Sequence, residues 1–483
     1  MADTFYWYDY ETTGVDPARD RVVQFAGIRT DVNFNQLAEP DVFYCKLHDD
    51  VLPHPEACLI TGISPQLANE KGLLECDFIA RIHQQFSTSQ TCVVGYNSIR
   101  FDDEFTRNLL YRNFFDPYAR EWKSGNSRWD LIDVVRLTHA LRPTGIHWPT
   151  REDGAASFKL EELTKANGIS HEAAHDALSD VYATIALAKL IKEKQPKLYA
   201  WGLALRDKNK ASQSLDLINH TPVVHVSSKY LASKDCLGIV MPIVAHPVNK
   251  NGVVVFDLTA DPQPLISLSA EEIHQRLHIA AEDLAEGDLR PPLKVVHINK
   301  SPMLAPLTTL TNEIKQKLNI NSEKCEANRQ TIVNADIADK IAEVFTINKF
   351  EEVTDPDLML YSGGFFSHLD SRNMAQIRSC EKEYLASLDL AFEDERLEEM
   401  LFRYRARNYP QSLNQADVLK RAAYRKTCLT ENKSDGRLTL TSYFERLNEL
   451  IARKGWSKEQ KILLENLISY GEEIAGGLDL TRQ

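Results

Sequence analysis

The stretch FYWYDYETTG at residues 5–14 most constrains how this chain can fold. Its run of four aromatic residues predicts a buried strand, and two carboxylates, Asp9 and Glu11, stand at the end of that strand. Side chains alternate along a strand, so Asp9 and Glu11 point to the same side and lie close together. Two like charges at that separation raise each other's pKa unless a cation or a shared proton intervenes. The pair therefore indicates either a strand end that reaches solvent, since strands often run into polar turns, or a site that binds a cation.

Strand and helix patterns alternate over residues 1–195 and predict an α/β domain with one mixed sheet. The strand patterns after the first are RVVQFAGIRTD, DVFYCKL and TCVVGYN, and the helical patterns are DDEFTRNLLYRNF, RWDLIDVVRLTHAL, SFKLEELTKANGI and HDALSDVYATIALAKLIKEKQP. From 196 to 350, short β-branched runs separated by turn signals predict a small antiparallel, barrel-like domain with a helical insertion. From 351 to 483, amphipathic patterns predict a mostly helical domain.

The composition is that of a protein without a membrane span. The chain has 483 residues, too many for one core, and no apolar stretch approaches the roughly 20 residues that cross a bilayer. Its N-terminus lacks the pattern of a secretion signal, and its eight cysteines include no CxxC pair, so we expect reduced thiols in a cytoplasmic protein. A net charge of −13 argues, by itself, against a polyanionic partner, but acids that bind metal would contribute to that count.

Two other segments carry acids that the sheet could bring to the first pair. GYNSIRFDDEF places Asp102 after a strand and at the start of a helix, and HDALSDVYAT carries His175 and Asp180. Four carboxylates, Asp9, Glu11, Asp102 and Asp180, can hold two divalent ions about 3.5–4 Å apart for attack on a phosphodiester. Oxygen ligands without thiolates favour Mg²⁺ or Mn²⁺ over zinc.

His175 and Asp180 are five residues apart, a rotation of about 140° on a helix, so the two side chains do not share one helix face. We therefore expect His175 in the preceding loop or in the first turn, where it could reach a metal-bound water. A histidine with a pKa near neutrality is suited to accept a proton from that water. Considered alone, His175 is better explained as an ordinary surface or capping histidine, and the acids around it reverse that preference.

The segments DYETTG, GYNSIRFDDEF and HDALSD resemble the three motifs of the DEDDh group of 3′→5′ exonucleases. NSRWDLIDVVRL, SFKLEELTKANGI, LKVVHINK and YRARNYP extend the resemblance to the bacterial exonuclease I family over essentially the whole chain. The resemblance implies a catalytic set in which Asp9, Glu11, Asp102 and Asp180 bind two Mg²⁺ ions, with Mn²⁺ possible, and His175 is the general base. The implied reaction is the stepwise release of 5′-mononucleotides from a free 3′ end of single-stranded DNA, in DNA repair and recombination.

The resemblance also implies an architecture. We expect a ribonuclease H-like exonuclease domain (1–195), an SH3-like β-barrel domain (196–350) and a helical C-terminal domain (351–483) in a C-shaped molecule that threads single-stranded DNA. We expect a monomer, since such a chain can enclose its own substrate. A further implied partner is the acidic, hydrophobic C-terminal tail of single-strand DNA-binding protein, for which Arg142 is a candidate contact. The neighbouring acids are expected to be caps, ion-pair partners or solvated residues: Asp103, Glu104, Asp130, Asp133 and Asp176.

Binding of single-stranded DNA without sequence preference needs cations along the backbone and aromatic side chains for base stacking. The candidate substrate-binding residues are Glu11, Thr12, Thr13, Asn97, Phe101, Arg107, Trp122, Arg142, Lys159, Lys229 and Lys300. Backbone N–H groups of the turn at Thr12, Thr13 and Gly14 could face the terminal nucleotide. For each cation or aromatic residue the alternative is a surface salt bridge or a core position. The segment RYRARN at 403–408 either faces DNA or belongs to a helix stabilised by the acids of DERLEE upstream.

Two other functions remain open from the residues. The first is an exoribonuclease of the same fold, because the three motifs do not identify the sugar. The long C-terminal half argues against it, since small ribonucleases of this fold lack such an addition. The second is a catalytically silent nucleic-acid-binding scaffold, which the five intact chemical positions disfavour.

Overall fold

We describe the fold from a computed structural model, which covers residues 4–171, 176–279, 283–284, 289–347, 353–431 and 436–479. The chain forms two compact units. The first unit comprises residues 1–127, 171–182 and 352–483, and the second comprises residues 128–170 and 183–351.

The sheet of the first unit surrounds the strand that carries the two acids. Its strands are β1 (Thr4–Thr12), β2 (Val22–Asp31), β3 (Asp41–Tyr44) and β4 (Thr91–Gly95). They lie in the order β3-β2-β1-β4. Strands β2 and β3 continue from β1 as an antiparallel meander, whereas β4 runs parallel to β1. The mixed sheet predicted from the sequence is therefore confirmed.

Both faces of β1 are buried, as the aromatic run predicted. On one face Tyr6, Tyr8 and Tyr10 join a core with Phe25 of β2 and Phe86. On the other face the fully buried Trp7 donates its indole N–H to Thr30 Oγ1 over 2.9 Å. Polar groups at the end of this strand are therefore held by a rigid hydrophobic base.

Helices of the first unit come from both ends of the chain. They are α1 (Pro55–Thr61), α2 (Pro65–Lys71), α3 (Glu75–Phe86), α4 (Asp102–Arg112), α15 (His368–Ser379), α16 (Arg396–Asn408), α17 (Gln415–Thr430), α18 (Leu440–Ala452) and α19 (Lys458–Asp479). One core cluster joins Cys58 of α1 to Leu447 of α18 and Leu467 of α19, and another joins Tyr111 of α4 to Met400 of α16. The helical C-terminal region predicted from 351 onward is confirmed.

The second unit contains an antiparallel sheet in the order β10-β6-β7-β8-β9. Its strands are β6 (Val223–Val226), β7 (Leu237–Ala245), β8 (Gly252–Asp257), β9 (Leu293–His297) and β10 (Met303–Pro306). Its helices are α5 (Leu131–Leu141), α6 (Leu160–Ala166), α8 (Pro196–Ala204), α9 (Lys208–Gln213), α10 (Gln263–Ser267), α11 (Ala270–His278), α12 (Asn312–Lys317), α13 (Ser322–Ala335) and α14 (Ala338–Val344). The antiparallel domain with a helical insertion was predicted, but α12, α13 and α14 were not.

Two elements lie where the chain passes from one unit to the other: β5 (Ser127–Asp130) and α7 (Ala177–Lys194). The prediction of a helix over the whole of RWDLIDVVRLTHAL is wrong at its start, because the first residues belong to β5. The carboxylate of Asp130 accepts from the Ile132 amide and caps α5, which therefore begins one residue later.

Within the part of the chain that the structure describes, no helix combines the length and the apolar character that a membrane crossing requires. All eight cysteines are free thiols.

Candidate metal centre

Three carboxylates from β1 and α7 meet at one point of the first unit. One ligand atom of each of Asp9, Glu11 and Asp180 lies within 4.8 Å of the other two. Strand alternation places Asp9 and Glu11 on one side of β1, as predicted, and the first turn of α7 brings Asp180 to them. Glu11 is only 7 % exposed.

The fourth predicted ligand, Asp102, is the buried first residue of α4. It is not part of the three-carboxylate group, but its charge acts on that group. Burial first, and then the charges of Asp102 and Glu11, raise the pKa of Asp9 well above its usual value. Burial, followed by the charges of Asp180 and Asp102, raises the pKa of Glu11 to about 9. The fold therefore brings together carboxylates that raise one another's pKa.

A divalent cation fits this arrangement, because a positive charge would remove the repulsion that raises both pKa values. The donors are carboxylate oxygens, which are the ligands that Mg²⁺ and Mn²⁺ prefer. We therefore assign the acid cluster as a candidate metal centre.

His175, the predicted general base, lies outside the described residues. A different histidine, His171, contacts the centre: its Nε2 atom is 2.5 Å from Asp180 Oδ1. Sequence reasoning missed His171, although its position four residues before His175 in HEAAH was a signal.

The five neighbouring acids have the caps and ion-pair partners that the sequence predicted. The pairs are Asp103 with Arg120, Glu104 with Arg107, Asp130 with the Ile132 amide, Asp133 with Arg136 and Asp176 with the Ser179 amide. Asp103, directly beside Asp102, thus serves the packing of α4 in this fold.

The turn after β1 is fixed by its own hydrogen bonds. The Thr13 amide donates to the Arg21 carbonyl over 2.8 Å, and the Thr13 hydroxyl accepts from the Arg21 amide. The Thr13 N–H group, a candidate to face the terminal nucleotide, is thus already donated within the loop. The Thr12 hydroxyl donates to the Gly14 carbonyl over 2.7 Å.

Two predicted substrate residues lie between β4 and α4. Asn97 is exposed and has a φ of 64°, a left-handed conformation that asparagine adopts more readily than most residues. Phe101 directly precedes α4, and its ring packs on Phe105 with centroids 5.0 Å apart. Both residues are therefore positioned close in sequence to the buried Asp102.

Arg107 and Trp122 differ sharply in exposure. The Arg107 guanidinium is buried and donates to both carboxylate oxygens of Glu121, to Glu104 and to the Tyr361 hydroxyl. Arg107 therefore forms salt bridges within the protein, which was the alternative to a contact with DNA phosphate. Trp122 is 67 % exposed, as a base-stacking residue must be.

Two exposed aromatic residues near Arg107 were missed. Tyr361, 62 % exposed, contacts both Arg107 and Glu104 through its hydroxyl. Phe365, 89 % exposed, meets the ring of Tyr118 edge-on at 6.0 Å, and Arg107 lies over that ring. Tyr361 and Phe365 lie more than 230 residues after the second motif, GYNSIRFDDEF, so no local sequence pattern linked them to it.

The remaining predicted cations belong to the second unit. Arg142 donates to the Thr309 carbonyl over 3.0 Å, and Lys300 is partly exposed. Lys159 and Lys229 are both exposed, and Lys159 Nζ lies 3.6 Å from Glu162.

Arginines of the segment RYRARN are bound within the first unit. Arg403 pairs with Glu399 of DERLEE over 2.9 Å, and Arg407 pairs with the buried Asp357 over 2.7 Å. The interpretation of a helix stabilised by upstream acids is confirmed for this segment.

Three family models match successive parts of the chain. The model described as Exonuclease matches residues 6–188, the Exonuclease I SH3-like domain matches residues 206–347, and the Exonuclease I C-terminal domain matches residues 354–474.

Known proteins resemble the chain over nearly its full length. Exodeoxyribonuclease I of Escherichia coli is 45 % identical over 473 residues, which cover 98 % of each protein. The structure of exonuclease I from Methylocaldum szegediense matches with a TM-score of 0.94 and 49 % identity, covering 98 % of this chain and 99 % of that one. The zinc-bound complex of E. coli exonuclease I with single-stranded DNA matches with a TM-score of 0.93 and 44 % identity, covering 98 % of this chain and 100 % of that one.

Proposed function

This chain belongs to the exodeoxyribonuclease I family, and from that premise we propose that it shortens single-stranded DNA from the 3′ end and releases 5′-mononucleotides. The observation that carries the proposal is the convergence of Asp9, Glu11 and Asp180 within 4.8 Å, with Asp102 acting on the same group. The exoribonuclease alternative is not favoured, because the SH3-like and C-terminal models of exonuclease I both match this chain.

The proposed reaction is hydrolysis of the last phosphodiester bond. Two bound divalent ions would activate the attacking water and stabilise the leaving 3′ oxygen. Asp9, Glu11, Asp102 and Asp180 would hold them. A ring nitrogen of His175 would accept the proton of the water as its oxygen bonds to phosphorus. The bond to the 3′ oxygen of the preceding nucleotide then breaks, that oxygen takes up a proton from solvent to become a 3′ hydroxyl, and a nucleotide with a 5′ phosphate is released.

We propose Mg²⁺ as the ion, with Mn²⁺ as a substitute. The support is the donor set, since the described cluster consists of carboxylates and hard oxygen donors suit these ions. A zinc ion is present in the related E. coli complex, so the choice of metal needs a direct test.

We further propose that the strand is held by stacking and by charge. Trp122, Tyr361 and Phe365 would stack on bases, and Lys159 and Lys229 are exposed cations suited to phosphates. The other substrate-binding residues of the proposal are Glu11, Thr12, Thr13, Asn97, Phe101, Arg107, Arg142 and Lys300. For Thr13 and Arg107 the role is to shape the site, because their polar groups already bind within the protein.

The finer features of the proposal follow from family membership. We propose the domain boundaries 1–195, 196–350 and 351–483, supported by family matches over 6–188, 206–347 and 354–474. We also propose a cytoplasmic monomer that acts in DNA repair and recombination and binds the tail of single-strand DNA-binding protein. Binding of a labelled acidic, hydrophobic tail peptide should weaken in Arg142→Ala and be absent for a scrambled peptide. Light scattering during gel filtration tests the monomer.

The central experiment uses a 5′-labelled DNA oligonucleotide, its RNA counterpart and the DNA annealed to a complement, each with Mg²⁺ or with chelator. We expect progressive 3′ shortening of single-stranded DNA alone, abolished by chelator and by Asp180→Asn. Asp153→Asn is the matched control, because Asp153 is exposed and pairs only locally with Arg151. Equal or faster loss of RNA would favour the exoribonuclease, and DNA binding without any shortening would favour the silent scaffold.

A further inference from the structure

His171 lies against the candidate metal ligand Asp180. Its Nε2 atom is 2.5 Å from Asp180 Oδ1, and its side chain is only 4 % exposed. When Asp180 is ionised, as a metal ligand must be, its carboxylate can only accept a hydrogen bond, and the imidazole is then the donor. Hydrogen bonds to a charged acceptor are shorter and stronger than those between neutral groups.

A backbone hydrogen bond positions Asp180 at the start of α7. The Asp180 amide donates to the Asp176 carbonyl over 3.1 Å at the start of α7. Two residues further on, the Tyr182 hydroxyl donates to Gln36 Oε1 over 3.4 Å. These contacts hold the start of α7. Asp9 and Glu11 each have a carboxylate oxygen within 4.8 Å of Asp180, and their charged forms repel its carboxylate. A hydrogen-bond donor to that carboxylate would counter the repulsion.

We propose that His171 is a positioning residue of the metal centre: its imidazole N–H holds Oδ1 of Asp180 and so orients this carboxylate to bind the divalent ion. The inference rests on the proposed metal-dependent function. Hydrogen bonds from an outer residue to a metal ligand orient that ligand, and their loss typically weakens metal affinity or activity about 10- to 100-fold. His171 acts through Asp180, and this role differs from the proton transfer proposed for His175.

The test measures Mn²⁺ binding to the full chain by electron paramagnetic resonance, without DNA. His171→Ala and His171→Phe both lack the donor, and the phenyl ring keeps most of the volume if the alanine variant folds poorly. We expect both to bind Mn²⁺ at least about 10-fold more weakly than the wild type. His171→Gln keeps a side-chain N–H group and should recover most of the affinity. His147→Ala is the control, since His147 is an exposed histidine.

A second readout separates positioning from chemistry. In His171→Phe the Mn²⁺ concentration for half-maximal activity should rise, while kcat at saturating Mn²⁺ returns to the wild-type value. A kcat that saturating metal does not restore would overturn the positioning role, as would unchanged Mn²⁺ affinity in both donorless variants. If the wild type binds no Mn²⁺, or Asp180→Asn binds it as tightly as the wild type does, the metal centre itself fails. That result is distinguishable from failure of the His171 proposal alone.

Discussion

Two adjacent aspartates at the start of α4 are expected to respond in opposite ways to the same substitution. Asp102 and Asp103 are both buried. Asp102 raises the pKa of the carboxylates around the candidate metal centre, whereas Asp103 accepts from Arg120 over 2.6 Å and from the Tyr8 hydroxyl over 2.9 Å. Replacement of either residue by asparagine removes one negative charge and changes the volume very little.

The expected magnitudes follow from these surroundings. Asp103→Asn removes the nearer carboxylate from the fully buried Arg120, whose other acidic partner, Glu121, lies 3.9 Å away. Loss of one partner of a buried pair typically destabilises by about 3–5 kcal/mol. Asp102→Asn removes a like charge, and two unit charges about 5 Å apart at an effective dielectric constant of about 20 repel by about 3 kcal/mol. Because the raised pKa values mean that protonation already relieves part of this repulsion, we expect a gain of about 1 kcal/mol in the free energy of unfolding.

The assay is urea unfolding of the two metal-free variants at neutral pH, followed by circular dichroism, together with the exonuclease assay in Mg²⁺. Asp102→Asn should unfold at the same or a higher urea concentration than the wild type and lose activity. Asp103→Asn should unfold at a clearly lower concentration. The reasoning is refuted if Asp102→Asn unfolds as easily as Asp103→Asn, or if Asp103→Asn leaves the midpoint unchanged.

Three further outcomes are expected. Burial first, and then neighbouring carboxylates, raise the pKa of Glu11 from 4.5 to about 9, so the folded metal-free protein binds a proton that the unfolded chain has released. The contribution of Glu11 to the free energy of unfolding therefore falls as the pH rises from 4.5 to about 9. In thermal melts with chelator, the melting temperature of Glu11→Gln should decline less over this pH range than that of the wild type. Glu75 lies 3.2 Å from Arg112, and although burial alone raises its pKa, nearby cations outweigh burial and hold that pKa well below its usual value. Glu75→Gln should destabilise by about 3–5 kcal/mol at neutral pH, and the difference from the wild type should shrink in acid, where the wild type is protonated too; an equal urea midpoint would contradict this. Trp122→Ala should weaken single-stranded DNA binding by about 1–3 kcal/mol without lowering the melting temperature, measured by fluorescence anisotropy in chelator; unchanged affinity would contradict a stacking role.

The parts of the site that the sequence predicted are those set by local geometry. Strand alternation alone places Asp9 and Glu11 on one side of β1, and helix starts after a strand or a loop place Asp102 and Asp180. Capping and short-range ion pairs follow the same logic, which is why Asp133 with Arg136 could be anticipated. Periods of two and of 3.6 residues are properties of the backbone and do not depend on the rest of the fold.

Contacts between distant segments were not predictable in this way. Tyr361 reaches Arg107 from 254 residues away, and no periodicity links the two positions. The Thr13 amide looked available for a nucleotide, but a loop bond to Arg21 depends on how residues 14–20 close, which the pattern does not specify. The sequence pattern did not reveal β5, because Asp130 ends this strand and also caps α5, and the strand and the helix have similar apolar character.

Arginine and lysine near the motifs differ in what they indicate. The candidate arginines Arg107 and Arg403 form multiple fixed bonds to carboxylates, as suits a planar guanidinium with several donors. Lys159 and Lys229 remain exposed, and a compact charge on a flexible stem suits contacts to a backbone that moves past the protein. A strand that is shortened stepwise must slide after each cut, so its cationic contacts must be easily exchanged. An arginine with acids at neighbouring helical positions therefore predicts internal packing. An exposed lysine is the better candidate for phosphate binding in a chain of this kind.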